Sequence, residues 1–276
     1  MRVISALSLL TLLSTAAVSA SALAATESAT TFYVAGAQRA AVPMAAWQKN
    51  GVVSSASGAE TRNAPRKAVK YTAKTVAWPT ATVKVLTFKK SSGGVLHPIT
   101  DETTVYVLEG TAQATVDGKS VALKTGDVAS LPTGALTNVG APTDAVIVAW
   151  TAPSLTPGAT PLVVHADQLT PQQAGQLTIR RYEFPGNSVR AVGLAKGMKT
   201  NPNSAKTDSL IYVTKGPMRF SQDGQNFVVS AGDFLREVAG LMHNWDVTEE
   251  SGFVTTSALP AGAGPIDPGK ATDVPK

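Results

Sequence analysis

The sequence predicts an all-β protein built from two copies of one barrel-sized unit, and three observations predict it. Short runs rich in Val, Thr, Tyr and Ile follow one another after residue 80, separated by turn residues. Asp117-Gly118 and Asp223-Gly224 each lie between two such runs, where glycine accepts the positive φ of a two-residue hairpin. The two pairs stand 106 residues apart (223 minus 117), and the same offset aligns many other residues of the two halves.

Taken in chain order, the sequence opens on Met1-Arg2, an apolar stretch from Val3 to Val18 interrupted by Ser and Thr, and the small-x-small pattern Ala22-Leu23-Ala24. This is the pattern of a secretory signal peptide cleaved after Ala24. The run is too short for a membrane span, which needs roughly 20 mostly apolar residues, and no later segment replaces it. The expected product is an exported, soluble chain, periplasmic or secreted, with no membrane partner. An N-terminal segment, 25–77, precedes the first unit.

The expected strands of the first unit, 78–150, are Val83 to Phe88, Thr104 to Leu108, Ala112 to Val116, Val121 to Leu123, Val128 to Leu131 and Ala145 to Trp150. At the 106-residue offset Pro79 meets Pro185, Val83 meets Val189, Tyr106-Val107 meets Tyr212-Val213, and Gly110 meets Gly216. Gly126-Asp127 meets Gly232-Asp233, Gly134 meets Gly240, and Asn138 meets Asn244. A register without gaps over about 70 residues marks a tandem duplication. The Pro/Gly/Ser/Thr-rich stretch Thr151 to Pro161 opens a linker, 151–183. Within it Thr170-Pro171-Gln172-Gln173 reads as a cap and first turn of one short helix. The second unit occupies 184–259, and a Pro/Gly-rich tail, 260–276, follows.

The 276 residues, 43% hydrophobic and 16% charged, are enough to bury two medium cores. Absence of cysteine excludes disulfides, thiol nucleophiles, Cys-ligated metal centres and lipoprotein anchoring. The net charge of +5 comes from scattered Lys and Arg, densest at Arg66, Lys67, Lys70 and Lys74, with only Tyr71 interleaved. Such a stretch is an ordinary solvated surface, and without a recognisable basic module no nucleic-acid partner is expected.

Two motifs carry a resemblance. His97-Pro98-Ile99-Thr100-Asp101-Glu102-Thr103 runs into Thr104-Val105-Tyr106-Val107-Leu108-Glu109-Gly110, and Gly126-Asp127 is followed by Leu131-Pro132-Thr133-Gly134. Over about 70 residues of each half the chain resembles the cupin superfamily, whose motifs are roughly G-x5-HxH-x3-E-x6-G and G-x5-PxG-x2-H-x3-N. The resemblance implies two tandem cupin (jelly-roll) β-barrels. It places the family's four metal-ligand positions at His97, Ile99, Thr103 and Thr137 in the first half, and at Asn203, Ala205, Ser209 and His243 in the second. One ligand of four survives in each, so no tightly held metal or other cofactor is expected. Glu102 and Asp208 lie one residue before the lost Glu position, where strand parity aims them at the opposite face unless a bulge turns them inward.

The turn glycines and Gly-Asp pairs repeated in the two halves are explained by the barrel's turns, Tyr106 and Tyr212 by packing, and His165 as an ordinary surface histidine. His97 and His243 fall where related proteins face their ligand cavity, and both pocket function and passive burial stay open for them. The sequence therefore supports a module that binds a small polar molecule, of sugar or carboxylate type, through these eight positions. The alternative is an isomerase, lyase or dioxygenase in which His97 with Glu102, or His243 with Asp208, moves protons or holds a weak metal. Related duplicated barrels also assemble into homo-oligomers.

Overall fold

The computed structural model describes residues 27–28, 31–39, 42–43, 71–79, 81–93, 97–98, 102–116, 119–131, 136–152, 162–184 and 187–258. The expected signal peptide, most of the N-terminal segment, the body of the Pro/Gly linker and the tail lie outside the described residues, as do Ile99 and the turn residues Asp117-Gly118. The strands run, in chain order, Tyr33–Val34 (β1), Val42–Pro43 (β2), Tyr71–Trp78 (β3), Ala81–Phe88 (β4), Ser92–Gly93 (β5), His97–Pro98 (β6), Glu102–Val116 (β7), Lys119–Lys124 (β8), Val128–Leu131 (β9), Leu136–Ala141 (β10) and Ala145–Ala152 (β11). They continue as Leu162–Val164 (β12), Gln172–Ala174 (β13), Leu177–Phe184 (β14), Asn187–Leu194 (β15), Asn203–Ser204 (β16), Ser209–Lys215 (β17), Met218–Gln222 (β18), Gln225–Val229 (β19), Phe234–Glu237 (β20), Met242–Asp246 (β21) and Ser251–Ala258 (β22). The only described helices are single 3-10 turns at Gly36–Gln38 and Ala166–Gln168.

The second barrel is two sheets face to face. One has the order β1-β20-β17-β22-β15-β14-β13 and the other β16-β21-β18-β19. Alternation along the strands sends Ile211, Val213, Leu235, Phe220, Trp245 and Phe253 into a common interior. Here the Asp223-Gly224 hairpin is as expected: Gln222 pairs with Gln225, and both turn residues have positive φ, 50° and 75°. The first barrel repeats the plan with β12-β9-β7-β11-β4-β3-β2 as its main sheet. Its β7 runs unbroken through both sheets where two strands, Thr104 to Leu108 and Ala112 to Val116, are expected. In the second half Pro217, which cannot donate to a ladder, separates β17 from β18.

Gly110 sits in β7 at φ +79°, and a Cβ built there would lie 2.0 Å from the Asp144 carbonyl oxygen. Strained φ and a backbone clash act together, so Gly110→Ala is expected to cost about 2–4 kcal/mol. Loss of midpoint in urea unfolding measures it; an unchanged midpoint would show that the β7–β11 turn region yields freely.

Outward faces of the two barrels' main sheets meet in a second core, where Val83, Val85, Tyr106, Val148 and Trp150 pack with Tyr182, Phe184, Val189, Phe234 and Val254. The barrels are also laced together by exchanged arms. β1 and its 3-10 turn precede the first barrel in the chain but dock on β20 of the second, with Tyr33 opposite Leu235. β12 and its 3-10 turn precede the second barrel but dock on β9 of the first, with Val163 opposite Ala129. The arms are copies at an offset of 130 residues (163 minus 33) rather than 106, so the first half holds 24 more residues between arm and barrel.

Asp127 and Asp233, the aspartates of the two Gly-Asp pairs, hold these arms. Asp233 accepts the Gly36 N–H at 2.8 Å, the Ser230 N–H at 2.9 Å and the Tyr33 hydroxyl at 3.2 Å. Asp127 accepts the Ala166 N–H and the Lys124 N–H, each at 2.8 Å, and meets His165 Nδ1 at 2.8 Å. The Gly-Asp pairs thus do more than turn the chain, and His165 is a docking residue rather than an ordinary surface histidine.

Two boundaries move. The hairpin strands β3 and β14 precede positions 78 and 184 yet pair along their whole length with β4 and β15. The helix expected at Thr170 to Gln173 is instead the turn into strand β13, whose Gln172 to Ala174 pair with Ile179 to Leu177. A free sheet edge offered by β14 outweighs the local cap-and-proline signal.

Candidate functional site

Six polar residues gather at one end of the interior of the second barrel. Each follows from strand parity: Ser209 lies two residues before Ile211, Glu237 two after Leu235, Gln222 two after Phe220, His243 two before Trp245, and Thr255 and Ser257 follow Phe253 by two and four. Sheet register then sets them side by side, Glu237 opposite Ser209, Ser209 opposite Ser257, and Gln222 opposite His243.

His243 is 6% exposed. Its Nε2 stands 3.4 Å from Glu237 Oε1, and the Phe220 ring lies beside it with centroids 6.3 Å apart. Nδ1 is buried and makes no hydrogen bond within the protein. Gln222, fully buried, braces the wall: it donates to the Arg236 carbonyl and accepts the Val238 N–H, each at 3.1 Å. Ser209 and Ser257 share a hydrogen bond of 2.7 Å.

Among the sequence-predicted residues of this half, Asn203 lies opposite His243 in register, with its amide donating to the Asn201 carbonyl at 3.1 Å. Ala205 offers its carbonyl to the Gly240 N–H at 2.9 Å. Asp208 does not pair with His243. It sits on the other side of the strand from Ser209, where it accepts Arg236 Nε at 3.1 Å, the Arg236 terminal nitrogen and the Ala239 N–H at 2.9 Å. Its partner Arg236 belongs to the outward face, opposite Leu210, whereas Ser209 and Glu237 face inward. The carboxylate that meets His243 is Glu237. Its signal was available in the duplication: Glu237 stands where the first half has Leu131, and Gln222 where it has Val116.

In the first barrel the backbone register sets His97 opposite Thr137, matching Asn203 opposite His243. Thr103 pairs with Leu131 and Thr151, and Glu102 with Ala152. A metal of the family's kind does not fit the second barrel: its ligand positions supply one imidazole, Glu237 adds one carboxylate, and the Ser209 hydroxyl is engaged with Ser257. Among the described residues no three His, Asp or Glu side chains form a group that could hold an ion. A separate cleft of about 280 Å³ opens between the barrels beside Tyr106, Leu108, Thr178 and Arg180, away from His243. No described helix is long and apolar enough to cross a membrane.

Residues 85–152 match the family model described as Cupin domain. No curated protein matches the chain. Among solved structures, a point variant of the oxalate decarboxylase of Bacillus subtilis superposes with a TM-score of 0.64 at 12% identity, covering 83% of this chain and 77% of that one. AerE from Microcystis aeruginosa gives 0.62 at 8% identity over 69% of this chain and 93% of that one. Protein Ylba from E. coli gives 0.59 at 15% identity over 71% and 85%. At these identities the likeness is one of fold. The first barrel thus carries the Cupin-domain match, and the chain as a whole folds as two tandem jelly-roll barrels like those of these neighbours.

Proposed function

We propose that the second barrel binds a small polar molecule, of sugar or carboxylate type, without a tightly held metal, and that the protein meets this molecule after export. The supporting observation is His243: a side chain more than nine-tenths buried, one nitrogen 3.4 Å from Glu237, the other without a hydrogen bond within the protein. An unsatisfied buried nitrogen costs about 1–3 kcal/mol, which a ligand hydroxyl or carboxylate would recover. Serines, a glutamine and a carboxylate around it supply further donors and acceptors over an apolar floor.

The test is calorimetric titration of the protein with neutral sugars, sugar acids and short carboxylates, repeated on His243→Ala. A probe that binds the wild type and loses tenfold or more in the variant is the expected result. Binding indifferent to His243 would sink the proposal.

The 3.4 Å approach of Glu237 to His243 favours a second reading, an isomerase or lyase in which the pair moves a proton. A bound probe held in D2O would then exchange a carbon-bound hydrogen, seen by NMR, and Glu237→Gln would stop the exchange. The binding-only reading expects no exchange in either protein.

A further inference from the structure

We infer that the ligand of the second barrel is a hydroxylated carboxylate, such as a sugar acid, whose carboxylate is held by Arg181 and Arg190. The inference rests on the pocket proposed above and names the chemistry of its occupant.

Arg181 in β14 and Arg190 in β15 are directly paired across the two strands, and Arg190 is paired in turn with the pocket residue Thr255. Parity points both inward: Arg181 follows Leu177 and Ile179, and Arg190 precedes Val192 and Leu194, all of which pack in the interior of this barrel. Both are half-buried, and the Arg181 Nε is buried without a hydrogen bond. Like charges directly opposite in a sheet repel. A carboxylate between them removes that cost, and the guanidinium fork matches a carboxylate oxygen for oxygen.

The next row of the same sheet explains why the ligand carries hydroxyls. Across it run Glu237, Ser209, Ser257, Ser188 and Glu183, each paired with the next. The fully buried Ser188 hydroxyl and Glu183 Oε1 have no hydrogen-bond partner within the protein. A row with a carboxylate at each end repels a second ligand carboxylate and accepts hydrogen bonds from hydroxyls. The charged groups on this face are thus Arg181, Arg190, Glu183, Glu237 and, when protonated, His243. In the first barrel the same two rows hold Thr75, Lys84 and Ala149, then Ala77, Thr82, Thr151, Thr103 and Leu131, with Lys84 the one charge.

Calorimetric titration with gluconate and glucuronate, against sorbitol and glucose as their uncharged counterparts and hexanoate as a carboxylate without hydroxyls, tests this. At least one acid should bind tenfold or more tighter than its uncharged counterpart and than hexanoate. R181Q and R190Q should each weaken that acid about tenfold, the worth of one charge-assisted contact, and leave the neutral probes unchanged, while K84Q in the first barrel changes nothing. R181Q should melt no lower than the wild type, because it removes one of two like charges set opposite each other; a lower melting point of R181Q together with unchanged affinity would mark the arginines as structural and overturn the inference. Equal binding of acid and uncharged counterpart would also overturn it, and the pocket proposal survives if H243A still weakens that binding. Failure of both acids overturns the inference whatever the neutral probes do.

Discussion

Tyr182→Ala is expected to lower stability by about 3–5 kcal/mol, the range for truncating a fully buried aromatic. Tyr182 has no exposed surface and lies in the core shared by the two barrels, with Tyr106 edge-on to it at 6.2 Å between ring centroids. Its hydroxyl donates to the Gly126 carbonyl at 2.5 Å, in the turn that leads into Asp127. The tyrosine therefore ties a strand of the second barrel to a turn of the first. Tyr182→Phe keeps the ring and loses only the hydrogen bond, so it should cost about 1 kcal/mol. Urea unfolding followed by tryptophan fluorescence gives both values. A small loss in Tyr182→Ala would mean that the two barrels do not depend on this shared core.

Asp233→Ala should cost about 3 kcal/mol, because two backbone N–H groups and the Tyr33 hydroxyl lose one acceptor together. The N-terminal arm should also become cleavable near Gly36 in limited proteolysis, and an arm still protected would show that pairing of β1 with β20 suffices. The equivalent Asp127 adds a pH dependence. Burial alone would raise its carboxyl, but the Lys124 and Ala166 N–H groups and His165 outweigh burial and hold it below the ordinary carboxylate value. A depressed carboxyl stabilises the fold fully above the unfolded value, about 3.9, and loses that contribution as pH falls through the folded value. Asp127→Asn should flatten the acid side of the stability curve below about pH 4. An unchanged acid limb would assign the dependence to other carboxylates.

Comparison of the two halves made much of the fold legible and part of the site. The 106-residue register found both barrels because turn glycines and aspartates cannot be moved without breaking turns. It missed the exchanged arms, whose own offset is 130, because a single gap-free register hides copies separated by an insertion. It found His243 through the family motif but assigned it Asp208, the nearest carboxylate along the chain. Glu237 meets it because β20 pairs with β17 and alternation turns Glu237, like Leu235, into the barrel, and the same sheet brings Arg181 and Arg190 to the row next to it.

By itself the sequence determined the all-β class, the duplication and the hairpins, since each depends on residue type and short spacing. Only the tertiary structure decided which carboxylate meets His243, which barrel holds the polar row, and which barrel each arm joins. These depend on pairing between strands remote in sequence, where one step of register exchanges the inward and outward faces.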